Sequence, residues 1–279
     1  MADSWLTTAA ALGRTSAPPV LWSAALVIGV AYVARAAARE GLDPRVAYWA
    51  GVVAVVIGLL GAWALGQAVY GSGSSAYGGL LAGTVAALLF VWARRQPVWA
   101  YADALTPAGA LGYAVARLGC FFNGDDYGVA ASGFFSVRYR PGTEAYDAQV
   151  AHGLIAPGAA WSSPILATQL LHAALGLAIF FLLRRPRRPA GRRLALFAVF
   201  YGVGRFAVEI VRGDARRCLG PLSIHQVISL GLIVVGALAI SRQRRRGWAS
   251  EQMPTSIAPP GVAVGVAGGG ELDSEAAAR

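Results

Sequence analysis

Seven apolar runs, each near the length of a bilayer-crossing helix, constrain this chain more than any other feature of its sequence. A spanning helix needs about 20 mostly apolar residues, because the hydrocarbon core is about 30 Å thick and a helix rises about 1.5 Å per residue. The runs lie near residues 20–34, 46–69, 77–92, 100–121, 165–183, 194–211 and 222–240. Charged residues make up only 14% of the 279 positions, against roughly 25% in a soluble domain. That deficit excludes a wholly water-facing surface. The expected fold is all-α, a polytopic membrane protein of seven transmembrane helices occupying residues 1–248.

The arginines orient these helices. All 24 basic residues are arginine, and the formal charge is +10. In a soluble protein that excess would point to nucleic acid. Here it sits between apolar runs, which reads as topology signalling and lipid headgroup contact, with no nucleic-acid partner. Arg35, Arg39 and Arg45 fall in one connection, Arg94 and Arg95 in another. Arg184, Arg185, Arg187, Arg188, Arg192 and Arg193 fall in a third, and Arg242, Arg244, Arg245 and Arg246 follow the last run. The alternate connection at 71–76 carries no charge. The positive-inside rule then puts the N-terminus outside and the C-terminus inside, which seven spans satisfy. Residues 1–19 contain one arginine, Arg14, and no cationic stretch leading into a cleavable apolar core, so the first span is expected to be retained. Residues 123–163 form the longest outer connection, a small extracytoplasmic loop region in which 134–139 alternates like a short strand or hairpin. Residues 249–279, rich in Gly, Ala and Pro, are expected to be a disordered cytoplasmic tail. No inverted repeat of the transporter kind is visible.

Two arginines break the pattern. Arg117 lies near the outer end of the fourth run and Arg205 within the sixth, where an unpaired arginine costs roughly 2.5–3.5 kcal/mol at a helix centre. Arg205 and Glu209 are four apart and Glu209 and Arg212 three apart, so all three share one helix face. That face is either a neutralised stripe gluing helices together, with Arg212 snorkelling, or a cationic excess for a lipid phosphate, whose oxygens match a guanidinium fork. The run directions put Tyr77 and Gln169 at the same outer depth as Arg117 and Arg205, with His172 a turn deeper. Polar groups from four helices converging at one depth favour a site.

Several neighbouring residues admit two readings. Gly79 and Gly83 make a small-xxx-small pair for close helix approach, while Gly78 and Gly79 could also bring backbone amides near an anion. His172 is a hydrogen-bonded core residue or a proton acceptor. Asp125 and Asp126 cap the Gly-rich turn or pair with Arg117. The three histidines lack ligand spacing, and two cysteines cannot form a cysteine-rich metal site, so no metal is expected. Cys120 and Cys218 both fall on the outer side, where a disulfide would need Cα atoms within about 7 Å.

The stretch Arg117-Leu118-Gly119-Cys120-Phe121-Phe122-Asn123-Gly124-Asp125-Asp126-Tyr127-Gly128 resembles the signature of bacterial prolipoprotein diacylglyceryl transferases. Further pieces follow in that family's order. They are Gly41-Leu42-Asp43, Gly78-Gly79-Leu80-Leu81, Thr168-Gln169-Leu170, Tyr201-Gly202, Arg205-Phe206-Ala207-Val208-Glu209, Arg212 with Asp214, and Leu222-Ser223 before Gln226. The resemblance implies a multi-pass enzyme of the bacterial inner membrane. It would move the diacylglyceryl group of phosphatidylglycerol to the lipobox cysteine thiol of a prolipoprotein, docked through its signal peptide, forming a thioether and releasing glycerol phosphate. No cofactor is implied. The implied catalytic residues are Arg205, Glu209 and Tyr77, the last standing where the family usually has histidine. The implied substrate-binding residues are Arg117, Asn123, Gly128, Gln169 and Arg212. In this reading Arg117 binds phosphatidylglycerol, Arg205 stabilises phosphate or positions the thiol, and Glu209 orients them. A paralogue lipidating another acceptor, and a non-catalytic membrane protein binding anionic lipid, are the alternatives.

Overall fold

The long helices carry their apolar side chains outward and their polar ones inward. Trp63, Leu80 and Val235 are each more than 60% exposed, while Thr168, Gln169 and His172 are fully buried. A soluble protein shows the reverse, so this polarity belongs to a chain whose solvent is lipid. The computed structural model describes residues 5–13, 17–70, 76–184, 190–213 and 217–251. In chain order these form α1 (Trp5–Gly13), α2 (Ala17–Arg39), α3 (Pro44–Tyr70), α4 (Ala76–Ala93) and α5 (Val98–Asn123). Then come β1 (Ser136–Val137), α6 (Glu144–Ala151), β2 (Ile165–Leu166), α7 (Thr168–Leu183) and α8 (Arg192–Glu209). The order ends with β3 (Arg217–Leu219), β4 (Leu222–Ser223) and α9 (Ile224–Glu251). Residues through Gln243 form one compact unit; the second begins at Arg244 and is helical as far as Glu251.

Each of the seven apolar runs is helical, in α2, α3, α4, α5, α7, α8 and α9. Four stretches are long and apolar enough to cross a membrane: Ala17–Arg39, Pro44–Ala68, Val98–Asn123 and Ile224–Arg245. Gly78–Ala93 and Thr168–Leu183 are apolar but shorter. The chain is thus a helical, multi-pass membrane protein.

Three boundaries differ from the sequence expectation. Residues 165 and 166 are extended, because Ile165 pairs with Val137 and Leu166 with Ser136 in an antiparallel ladder. This supplies the strand expected in 134–139. α8 stops at Glu209, because the chain turns there and Arg212 pairs with Gly128 across an isolated bridge. Leu222–Ser223 turns back on β3 before α9 starts. Two short helices, α1 and α6, were not expected at all. α6 has a Thr143 N-cap whose hydroxyl accepts from the Tyr146 amide, and its first turn holds Glu144 and Asp147, the signature of a helix start. The expected turn at 71–76 (up to residue 75), residues 185–189, Asp214, the tail from residue 252 and the side chains of Tyr77 and Cys218 lie outside the described residues.

Helix α5 is the hub, packing on α1, α2, α3, α4, α7 and α8. One buried cluster fixes its inner half: Val33, Ala37, Ala47, Ala50, Val91 and Ala108 surround Tyr101. Arg193, expected among the loop arginines, is instead 2% exposed. It ion-pairs with Glu40 and donates to the Asp103 carbonyl. The Asp103 carboxylate accepts the Leu194 amide at 3.0 Å, capping the start of α8 from a neighbouring helix. A charge buried next to an opposite charge is stable where a lone one is not, which is why this arginine can leave the loop.

α3 and α4 approach almost backbone to backbone. A Cβ on Gly78 would lie 2.3 Å from the Gly61 carbonyl oxygen, and one on Gly83 2.5 Å from that of Ala54. The glycines therefore serve packing, the first of the two roles left open. Gly78→Val should lower stability by about 1–3 kcal/mol through overpacking. Gly109→Ala, with nothing within 4 Å of the added methyl, should raise it by up to about 1 kcal/mol through helix propensity. Denaturant titration of the protein in detergent measures both; equal midpoints for the two variants would rule out this close packing.

Candidate active site

The signature loop leaves α5 through Gly124, whose φ of +79° and bond from its amide to the Cys120 carbonyl end the helix. Glycine is required there, since a Cβ would sit 2.9 Å from Thr143 and Tyr139 atoms. Asp126 also adopts a positive φ, 52°, a conformation that aspartate tolerates better than most residues. The strand-like stretch that follows lies between β2 and the exit of α8. Gly128 donates its amide to the Leu166 carbonyl at 3.0 Å, and Gly213 donates to the Tyr127 carbonyl at 3.0 Å. A Cβ on Gly128 would be 2.6 Å from the Leu166 oxygen, so only glycine allows the signature loop and α7 to meet this closely.

That crossing assembles five charges in alternation. Arg117 of α5 pairs with Asp126. The other Asp126 oxygen lies 2.7 Å from Arg212 Nη2, and Arg212 Nε lies 3.8 Å from Glu209 Oε2. Glu209 pairs in turn with Arg205, one helical turn earlier on α8. Among the described residues, three guanidiniums and two carboxylates make up this chain of ion pairs. Asp126 settles between its two earlier roles: it pairs with Arg117. Burial works against its ionisation, but Arg117 and Arg212 outweigh that and hold its carboxyl below the usual carboxylate range. Asp125 next to it is pushed up by burial.

Glu209 is the most heavily bonded member. Its Oε1 accepts from the Ser223 hydroxyl at 2.7 Å and from His225 Nδ1 at 3.0 Å. Beneath Arg117 lies the ring of Tyr113, 5.0 Å from the guanidinium carbon, and the Tyr113 hydroxyl is bonded to His172 Nδ1 at 2.9 Å. His172 is thus the hydrogen-bonded core residue of its two readings, although its Nε2 has no hydrogen-bond partner among the described residues.

The other expected site residues stand around this chain of charges. Gln169 does not touch the arginines; its amide donates to the Asp125 carbonyl at 2.6 Å and ties the signature turn to α7. Asn123 is exposed and donates to Asp125 Oδ2 at 3.0 Å. Tyr77 lies in the first turn of α4, with its side chain outside the described residues. Ligating atoms of Cys120, Asp125 and Asp126 lie within 4.8 Å of one another. Two guanidiniums already claim Asp126, which leaves it poorly placed to serve as a cation ligand.

Sequence reasoning missed Tyr113, Ser223 and His225. Tyr113 lies four residues before Arg117, so helical spacing alone could have paired them. Ser223 and His225 reach Glu209 only because β3 and β4 fold back, and no periodicity announces that.

The model of the prolipoprotein diacylglyceryl transferase family matches residues 19–242. The chain belongs to that family. Among curated relatives, the phosphatidylglycerol–prolipoprotein diacylglyceryl transferase of Burkholderia mallei is 36% identical over 206 residues, 66% of this chain and 68% of the relative. The same-named protein of Symbiobacterium thermophilum is 26% identical over 238 residues, 80% of this chain and 86% of its own length. That of Thermosynechococcus vestitus is 30% identical over 184 residues, 64% of each chain. The match thus spans less than two thirds of the length of several relatives, 64% and 59% in two cases. All five charges of the ion-paired chain fall inside the family segment.

Removing one carboxylate tests the alternation. Asp126→Asn leaves Arg117 and Arg212 facing each other and should cost about 3–5 kcal/mol. The folded Asp126 value lies below the unfolded value of about 3.9. Its stabilisation is therefore complete above about pH 4 and lost as pH falls through the folded value, an acid dependence the variant should lack. Denaturation midpoints at pH 7 and pH 3 report both effects; a variant as stable as the parent at pH 7 would refute the ion-paired chain.

Proposed function

We propose that this chain transfers the diacylglyceryl group of phosphatidylglycerol to the lipobox cysteine thiol of prolipoproteins, as the names of its relatives describe. The observation that carries the reading is the alternating chain Arg117, Asp126, Arg212, Glu209, Arg205, which gathers three guanidiniums at one place. A phosphodiester bears one negative charge, and guanidinium forks match its oxygens. As the bond to the glyceryl carbon breaks, glycerol phosphate gains a second charge, and the guanidiniums stabilise it where it develops. Arg117 and Arg212 hold the headgroup phosphate; Arg205 sits against the leaving oxygen and is kept in place by Glu209. Gly128, Gln169 and Asn123 shape and brace the binding loop, and Tyr77 keeps the role that the family resemblance gives it.

The setting in this reading is the bacterial inner membrane, with α2 to α5 and α7 to α9 as seven spans. The N-terminus is outside and the C-terminus inside, an orientation supported by the arginine-rich connections. Residues 123–163 then form an extracytoplasmic head and residues beyond 248 a cytoplasmic tail. Diacylglyceryl donor and apolar signal peptide both reach the site from the lipid.

Expression in cells depleted of their resident transferase should restore lipoprotein maturation, read as the mobility shift of a lipoprotein on gels. Arg117→Ala and Arg205→Ala should each abolish the rescue. Full rescue by both variants would remove the proposed site. Failure of the parent despite membrane expression would favour a different acceptor or a lipid-binding role.

A further inference from the structure

The head carries two kinds of surface. α6 exposes Glu144, Asp147 and His152, as an element facing water does. α1 and the turn at Gly133 show the reverse. Trp5, Leu12, Phe134 and Phe135 are each more than half exposed, and neither residues 5–13 nor residues 129–135 contain a charge. The two segments form one patch. The Trp5 and Phe134 rings lie 5.7 Å apart, the Phe134 and Phe135 rings 5.1 Å apart, and the Arg138 amide donates to Thr7 Oγ1 at 3.1 Å. We infer that this patch is a lipid-binding surface, seated in the headgroup and acyl boundary of the bilayer that the bundle crosses, and that it anchors the head there. The inference goes beyond the transferase reading and holds whatever reaction the site performs.

Three observations choose lipid as the occupant. The patch continues along the chain into a lipid-facing helix: α2 is long and apolar enough to cross a membrane and exposes Val20 and Trp22 in its first two turns. The level of the patch is fixed by α5, whose apolar span ends at Asn123. A Cβ on Gly13 would lie 2.4 Å from the Phe122 ring, so the end of α1 rests on the last turn of that span. The patch also protrudes. Gly133, with φ of +114°, has nothing within 4 Å of an added Cβ, and Ser136 braces the turn by donating its amide and hydroxyl to the Gly133 carbonyl at 3.1 and 2.7 Å. An apolar helix from another protein seats in a groove. A protruding aromatic turn fits the deformable bilayer interface, where aromatic side chains collect.

Anchoring bears on the ion-paired site. Leu6 and Ala10 of α1 share one buried cluster with Phe121, Tyr127, Val137 and Ile165. The depth at which the patch sits is therefore passed through close packing to the signature loop, and so to Asp126 and the arginines it pairs with.

The test uses the full chain in nanodiscs of phosphatidylcholine and phosphatidylglycerol. Photoreactive benzoylphenylalanine replaces Phe134, Leu12 or, as a control on the polar surface, Ala151, which is exposed at the end of α6. After irradiation, intact-mass spectrometry should show a phospholipid added to the chains labelled at Phe134 and Leu12, with at least about fivefold less at Ala151. Absence of the lipid adduct at either of the first two positions, or an equal yield at Ala151, overturns the anchor. A synthetic signal peptide added in excess should leave the yield at Phe134 unchanged. Adducts of Phe134-labelled chain to that peptide, or to a second copy of the chain, in place of lipid overturn the inference in favour of a protein partner.

Discussion

An arginine cannot stand alone at the edge of the hydrocarbon, and the end of the bundle that holds Arg117 and Arg205 is organised around that constraint. Each of the three site arginines would be costly unpaired. The alternation of Arg117, Asp126, Arg212, Glu209 and Arg205 removes most of that cost by setting each guanidinium against a carboxylate. The consequences extend to the backbone. Asp126 can stand between Arg117 and Arg212 only if α5 stops at Gly124, the signature loop turns through a positive φ, and α8 ends in time for Arg212 to pair with Gly128. The guanidiniums are thereby held in fixed positions by their carboxylates.

The rest of the fold makes that arrangement rigid. α5 touches most of the other helices, so the position of Arg117 is set from several sides. The start of α8 is held by Asp103 and by the Arg193–Glu40 pair, some three turns from Arg205. α8 and α9 meet where a Cβ on Gly202 would lie 2.8 Å from the Ser229 carbonyl oxygen, bringing the first turn of α9 close to Glu209. Small residues therefore help determine how near His225 comes to Glu209.

Much of this was legible in the sequence. Hydropathy located the apolar runs that became long helices, four of which are long and apolar enough to cross a membrane. Arg205, Glu209 and Arg212 could be joined by helical spacing, since i,i+3 and i,i+4 neighbours share a face in any helix. Arg117 stood out because its charge violated its surroundings. What stayed hidden depended on loops. Asp126 had two readings because a turn residue has no fixed face, and Arg193 looked like a loop cation until Glu40 and Asp103 were found beside it. Gln169 was placed at the right depth, but its amide turned out to hold the Asp125 backbone and not a guanidinium.

The sequence by itself determined that this is a helical membrane chain with misplaced arginines near one surface. Those properties follow from local chemistry: how many apolar residues run together and where a charge interrupts them. Only the tertiary structure decided how those arginines are compensated and which histidine shares their carboxylate. Ion pairing and hydrogen bonding act over about 3 Å, and residues separated by 9 to 86 positions come within that range only after the helices pack and the two short strand pairs fold back. The buried charge is legible as an anomaly in one dimension; its function is a property of three.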